Sequence, residues 1–151
     1  MHATITVSNN ITLITIPDIP SDINTLSRIF ESIAQFGINI DMISVTPPQG
    51  EQTSVSVTID DDDLGKLLEF TASLHNKHDD VKPVVSSGNS KINIYDPVMR
   101  DTPGVAAKVF SAAASANADI RIITTSEEQI SILVTAAAFD STYAAIQEAI
   151  G

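Results

Sequence analysis

The apolar positions of this chain switch between helical and strand periods, and they do so twice in the same order. From Asn24 to Phe36, Leu26, Ile29, Phe30 and Ile33 recur at the i, i+3, i+4, i+7 spacing of one buried helix face. Gly37 follows where a left-handed cap would end the helix. Ile38, Ile40 and Met42 then alternate with Asn39 and Asp41, which predicts a half-buried strand running to Thr46. The stretch from Gly104 to Thr125 answers it. Val109, Phe110 and Ala113 take the places of Ile29, Phe30 and Ile33, Asn117 takes that of Gly37, and Ile120 and Ile122 alternate with Arg121. The same signal twice in matching context is an internal repeat, and the two phenylalanines are expected to be buried.

The remaining pattern fits around these copies. Ala3 to Val7 reads as a strand, Ser8-Asn9-Asn10 as a turn, and Ile11 to Ile16 as a second strand. Pro17 to Ser21, with two prolines, is expected as a loop, with Ser21, Asp22 or Asn24 capping the helix after it. Pro47 to Gly50 makes a hairpin connection into the strand Thr53 to Ile59. Asp60 to Asp63 opens a helix whose buried side is predicted as Leu64, Leu67, Leu68, Thr71 and Leu74. A strand from Val81 to Ser86, at an edge because of Pro83, completes a βαββαβ unit, and Ser86-Ser87-Gly88 reads as a linker. The second unit runs through a strand (Lys91 to Tyr95), a helix (Pro103 to Ala116), two strands (Asp119 to Ser126, Gln129 to Thr135) and a helix (Phe139 to Ile150). It lacks a fourth strand, while Ala3 to Val7 is left over at the other end. An unpaired sheet edge is a liability. The economical arrangement therefore places residues 9–87 in the first unit, and residues 88–151 with the N-terminal strand 2–8 in the second. The fold class is α+β: two ferredoxin-like units, each an antiparallel sheet with its helices on one face.

Composition narrows the partners. Eight Lys+Arg against 19 Asp+Glu give a net charge of −11, which repels phosphate backbones and anionic lipid, so neither nucleic acid nor membrane is expected as a partner. With no cysteine there is no disulfide framework, thiolate nucleophile or cysteine metal site. No leader-like segment and no long apolar run are evident, and a cytoplasmic location is expected.

Candidate chemistry is sparse. The aspartates Asp60 to Asp63 read as a solvated helix start rather than a cation site, since nothing in their spacing resembles a calcium loop. His75 and His78 with Asp79 and Asp80 lack a third well-spaced ligand and read as a solvated helix end. No nucleophile elbow, phosphate loop or dinucleotide fingerprint occurs, so no catalytic residue, metal or cofactor is expected. One motif stands out: Asp101-Thr102-Pro103-Gly104, between the first strand and first helix of the second unit. Pro103 suits the first turn of a helix, and Gly104 leaves the helix start bare, so its amide groups can receive a carboxylate. An ordinary capped helix start is the alternative.

The stretches Thr102 to Phe110 (TPGVAAKVF) and Ile122 to Val134 (IITTSEEQISILV), with Ile38-Asn39-Ile40-Asp41-Met42 and the return strand TSVSVT, resemble the tandem ACT domains of aspartate kinase regulatory regions. The resemblance implies edge-to-edge pairing of units into eight-stranded sheets and a homodimer. It further implies a free amino acid effector, lysine or threonine, acting in feedback regulation of a kinase catalytic domain or subunit. Transferred by position, it places the effector against Ile19, Ser21, Asp22, Asn24, Thr25, Asn39, Ile40 and Asp41, with Asn117, Asp119 and Ile120 from a facing unit. A second effector site would comprise Met99, Asp101, Thr102, Pro103, Gly104 and Val105. Three departures stand against a simple transfer: Ser21-Asp22-Ile23-Asn24 replaces the family's D-x-P-G in the first unit, Val45 replaces a frequent glutamine, and Arg121 replaces a frequent acid. A free-standing ACT protein, or a degenerate pair serving only dimerisation, is the alternative reading.

Overall fold

Pairing partners, more than local turn signals, decide where the strands of this chain run. A computed structural model describes residues 3–77 and 81–151. In chain order it contains β1 (Thr4–Pro20), α1 (Ile23–Gln35), β2 (Ile43–Val45), β3 (Gln52–Asp60), α2 (Leu64–Lys77), β4 (Val84–Tyr95), α3 (Val105–Ser115), β5 (Ile120–Thr125), β6 (Gln129–Val134) and α4 (Ala136–Ile150). Two units result, Ile11–Ser87 and Met1–Asn10 with Gly88–Gly151. Both have the α+β, ferredoxin-like arrangement.

In the unit Ile11–Ser87 the strand order is β2-β3-β1-β4, with β3 antiparallel to both β1 and β2. Alternate strand residues Ile14, Ile16, Val55, Val57 and Ile59 meet Ile29 and Ile33 of α1 and Leu67, Phe70 and Leu74 of α2. The strand period and the two helical stripes therefore supply one shared core. Phe70 is its fully buried aromatic and meets Phe36 edge-on, with ring centroids 6.3 Å apart. In the other unit the order is β1-β4-β6-β5, and β6 is antiparallel to β4 and β5. Ile92, Ile94, Ile130, Ile132 and Val134 pack against Val109 and Ala112 of α3 and Ile146 and Ile150 of α4, with Ala3, just ahead of β1, and Ile5 of β1 at the border. The Ser90 hydroxyl donates to Asn9 Oδ1 over 2.9 Å, linking β4 to β1.

Several local expectations give way. The turn at Ser8-Asn10 and the linker at Ser86-Gly88 are both strand, because Asn10 (φ 59°) and Gly88 (φ 73°) take left-handed backbone that bends β1 and β4 without ending them. Pro17 to Pro20 is strand as well. The register slips between Ile16 and Ile19, with Asp18 at φ 56°, so Pro17 sits at a bulge where its missing N–H breaks no ladder. The strand from Ile38 to Thr46 shrinks to Ile43–Val45, although the Asp41 N–H still donates to Thr58 O over 2.9 Å. In α2 the buried face is Leu67, Phe70 and Leu74, and Leu68 points outward at 54% exposure. Phe30 and Phe110 are only partly buried, at the margins of their cores. Pro103 precedes the first turn of α3 rather than opening it. The helix stops agree with expectation: Gly37 and Asn117 adopt φ 77° and 53°.

Among the described residues no helix is long and apolar enough to cross a membrane, and no cluster of three or more His, Asp or Glu is placed to hold a metal. His78, Asp79 and Asp80 of the histidine-aspartate stretch lie outside the described residues.

Candidate functional site

The start of α1 is closed by its own side chain. Asp22 caps the helix, Oδ1 accepting from the Thr25 N–H at 3.0 Å and Oδ2 from the Thr25 hydroxyl at 2.7 Å. Those bonds, the side-chain one first, hold the Asp22 carboxyl below its ordinary value. The Thr25 amide, a candidate donor to a ligand carboxylate, is thus occupied, and an ionised carboxylate stands beside it. Ser21 donates its N–H to Glu51 O (2.9 Å), Asn24 is exposed, and Ile19 is buried in the core.

Asn39, Ile40 and Asp41 lie elsewhere in the same unit. Asp41 pairs with Thr58, whereas Ser21 pairs with Glu51. At about 3.3 Å per residue these points are ~20 Å apart along β3, so one copy of the unit does not bring the loop and the strand onto one small ligand. Beyond them the short edge strand β2 exposes Ile43 and Val45. In the other unit, Asn117 ends α3, Ile120 is half-buried at the start of β5, and the Asp119 carboxylate accepts from Arg121 at 2.8 Å. Arg121 thereby pairs with the acid two residues before it.

The start of α3 has the opposite character. Gly104 is its N-cap, in left-handed backbone at φ 94°, and no side chain caps the helix. A cavity of about 360 Å³ opens there, lined by Met99, Thr102, Gly104 and Val105 from the strand-helix connection and by Thr125 and Glu127 from the β5–β6 hairpin. Asp101 and Pro103 of the predicted set are exposed and do not line it. Arg100 also lines the cavity, and it spans to the hairpin by ion pairs to Glu127 (3.2 Å) and Glu128 (2.8 Å). Bare amide groups and a positive helix end at one opening are suited to a carboxylate, while the Arg100 guanidinium there is already paired with Glu127 and Glu128. The motif at Asp101-Gly104 pointed to this place. Arg100 and Glu127 did not stand out, because only the fold joins the connection to a hairpin some 25 residues later.

Comparison with known proteins agrees with the architecture. Residues 92–150 match the family model described as the ACT domain. An aspartokinase of Geobacillus stearothermophilus is 31% identical over 97% of this chain and 35% of that protein. The regulatory subunit of aspartate kinase from Thermus thermophilus, in its ligand-free form, superposes with a TM-score of 0.87 at 25% identity, covering 97% of both chains. Residues 92–150 match an ACT domain, and the chain as a whole resembles the regulatory region of aspartate kinase. Aspartate kinase from Synechocystis matches with a TM-score of 0.89 at 25% identity, over 96% of this chain and 26% of that one. The chain spans about a third of the length of the curated aspartokinases it matches. Within the ACT framework, the two strand-helix connections differ in the one respect that matters for an anionic ligand: α1 is capped by a carboxylate and α3 is not.

Proposed function

We propose that this chain is a non-catalytic, amino-acid-responsive regulatory module of an aspartate kinase, with lysine or threonine as effector and a kinase catalytic domain or subunit as partner. The observation that carries the proposal is the uncapped start of α3 above its cavity, in a chain that matches a regulatory subunit from end to end. The effector's carboxylate bonds the first amides of α3, and its side chain reaches toward the hairpin, where Glu127 suits an ammonium and Thr125 a hydroxyl. The residues of the first unit take part through a second copy. Antiparallel pairing of two β2 edges, with Ile43 and Val45 covered, would set Asn39 to Asp41 of one chain beside Ser21 to Thr25 of the other and so remove the ~20 Å separation. Eight-stranded sheets and a homodimer follow from that pairing.

A purely associative role for the first unit is favoured by one specific observation, the occupation of the Thr25 amide by Asp22. Isothermal titration of the full chain with lysine and with threonine, alongside sizing by light scattering, tests both readings. Saturable heat from either amino acid supports the sensor; silence from both in a folded dimer leaves only the associative role.

A further inference from the structure

A second cavity lies within the unit Ile11–Ser87, between its two helices. α1 presents Thr25, Arg28, Ile29 and Ser32 to it, and α2 presents Phe70, Ser73, Leu74 and Lys77. Both sets follow the i, i+3, i+4, i+7 spacing of a single helix face, so two full stripes meet across an unfilled space of about 340 Å³. Its floor is apolar. Ile19, Ile29, Phe70, Leu74 and Val81 are each buried to more than nine-tenths, and apolar walls without partner atoms forgo the dispersion contacts that close packing supplies. Its rim is charged. Among the described residues that line it, Arg28 and Lys77 are the cations and Asp18 the carboxylate, with the Asp22 carboxylate on Thr25 also within the influence of Arg28, although the chain as a whole carries 19 acids to eight bases. The hydroxyls of Thr25, Ser32 and Ser73 complete the polar margin. The volume falls at the lower end of the ~300–1,000 Å³ of small-molecule sites, and the lining has their usual form of an apolar body with a few convergent polar groups.

We infer that this inter-helix cavity is a binding site for a small carboxylic acid bearing a branched or aromatic apolar tail. The tail occupies the floor over Phe70 and Leu74. The carboxylate is held by the Arg28 guanidinium, whose planar fork matches it, and by the Lys77 ammonium. Asp18, set on the β1 bulge, receives an ammonium group where the acid carries one. The site is separate from the start of α3, and its occupancy does not depend on lysine or threonine binding there.

The full chain titrated with 3-phenylpropanoate, phenylalanine and 2-phenylethanol, followed by methyl NMR, tests the inference. Saturable shifts at the methyl groups of Ile29 and Leu74 are expected with the two acids. The alcohol, which lacks the carboxylate, should bind at least about tenfold more weakly, as expected for the loss of a charge-assisted hydrogen bond. Arg28→Gln, at an exposed position, should weaken 3-phenylpropanoate by a similar factor, and Ser73→Trp should fill the space and abolish binding. Phenylalanine binding more tightly than 3-phenylpropanoate identifies an amino acid as the ligand and engages Asp18; the reverse order identifies a simple or 2-oxo acid. No saturable shift at Ile29 and Leu74 overturns the site. So does binding indifferent to Arg28→Gln, or shifts that move instead to Gly104 to Ala107.

Discussion

The helices α1 and α3 hold equivalent places in the two repeats, yet they start in opposite ways. At α1 the chain supplies its own anion, because Asp22 occupies the Thr25 amide and hydroxyl. At α3 the N-cap is Gly104, in left-handed backbone, which has no side chain to offer. The same macrodipole is therefore met by a side-chain carboxylate in one unit and by none in the other. A repeat duplicates the scaffold; the residues at its strand-helix connections differ, and under the proposed function they decide which copy binds.

Substitutions can break this contrast or sharpen it. The largest effect is expected in the core below the capped helix. Phe70→Ala should destabilise the protein by about 3–5 kcal/mol, read by chemical denaturation, since Phe70 is fully buried against Phe36. Phe30→Ala and Phe110→Ala should cost clearly less, because both side chains lie at core margins. Next comes Gly104→Val. A Cβ there meets nothing within 4 Å, so the cost is that of a β-branched residue in left-handed backbone, about 1–2 kcal/mol. The added side chain should also abolish amino-acid binding at α3, read by calorimetry on the folded variant. Asp22→Ala attacks the contrast from the other side. It frees the Thr25 amide, so α1 should lose some helix stability by circular dichroism while its first amides become responsive to added carboxylate.

The smallest effect is expected from pH. The Asp22 carboxyl is held below its ordinary value in the folded state, so its capping contribution is complete above the ordinary aspartate range. That contribution is lost as pH falls through the lowered value. The Thr25 amide resonance should report this as a titration at the start of α1. The amides of Val105 and Ala106, with no carboxylate capping them, should show no matching capping transition.

Much of the fold could be read from periodicity. The stripes that bury Ile29 and Ile33, or Val109 and Ala113, follow from spacing alone, and the stops at Gly37 and Asn117 follow from the residues that tolerate left-handed backbone. Asn10, Gly88 and the Pro17–Pro20 stretch misled for one shared reason. They carry local turn signals, but in each case neighbouring strands hold the backbone and the irregular residue is absorbed as a bend or bulge. Of the candidate site, the Asp101-Gly104 motif was legible because proline and glycine have positional meaning at helix starts. Occupation of the Thr25 amide was legible in part, since Asp22 was among the expected caps but Ser21 and Asn24 stood beside it. The inter-helix cavity was invisible for another reason. No motif marks Arg28, Ser32, Ser73 and Lys77, and only tertiary packing brings their two helix faces to one cavity.

The most direct test of the central claim is the backbone amide NMR spectrum of the full chain during titration with lysine and with threonine. The account predicts that one of them shifts the Val105, Ala106 and Ala107 amides at the start of α3 saturably, and that Gly104→Val removes the response. Shifts confined to Asn24 and Thr25, or a spectrum unmoved by both amino acids, would contradict it.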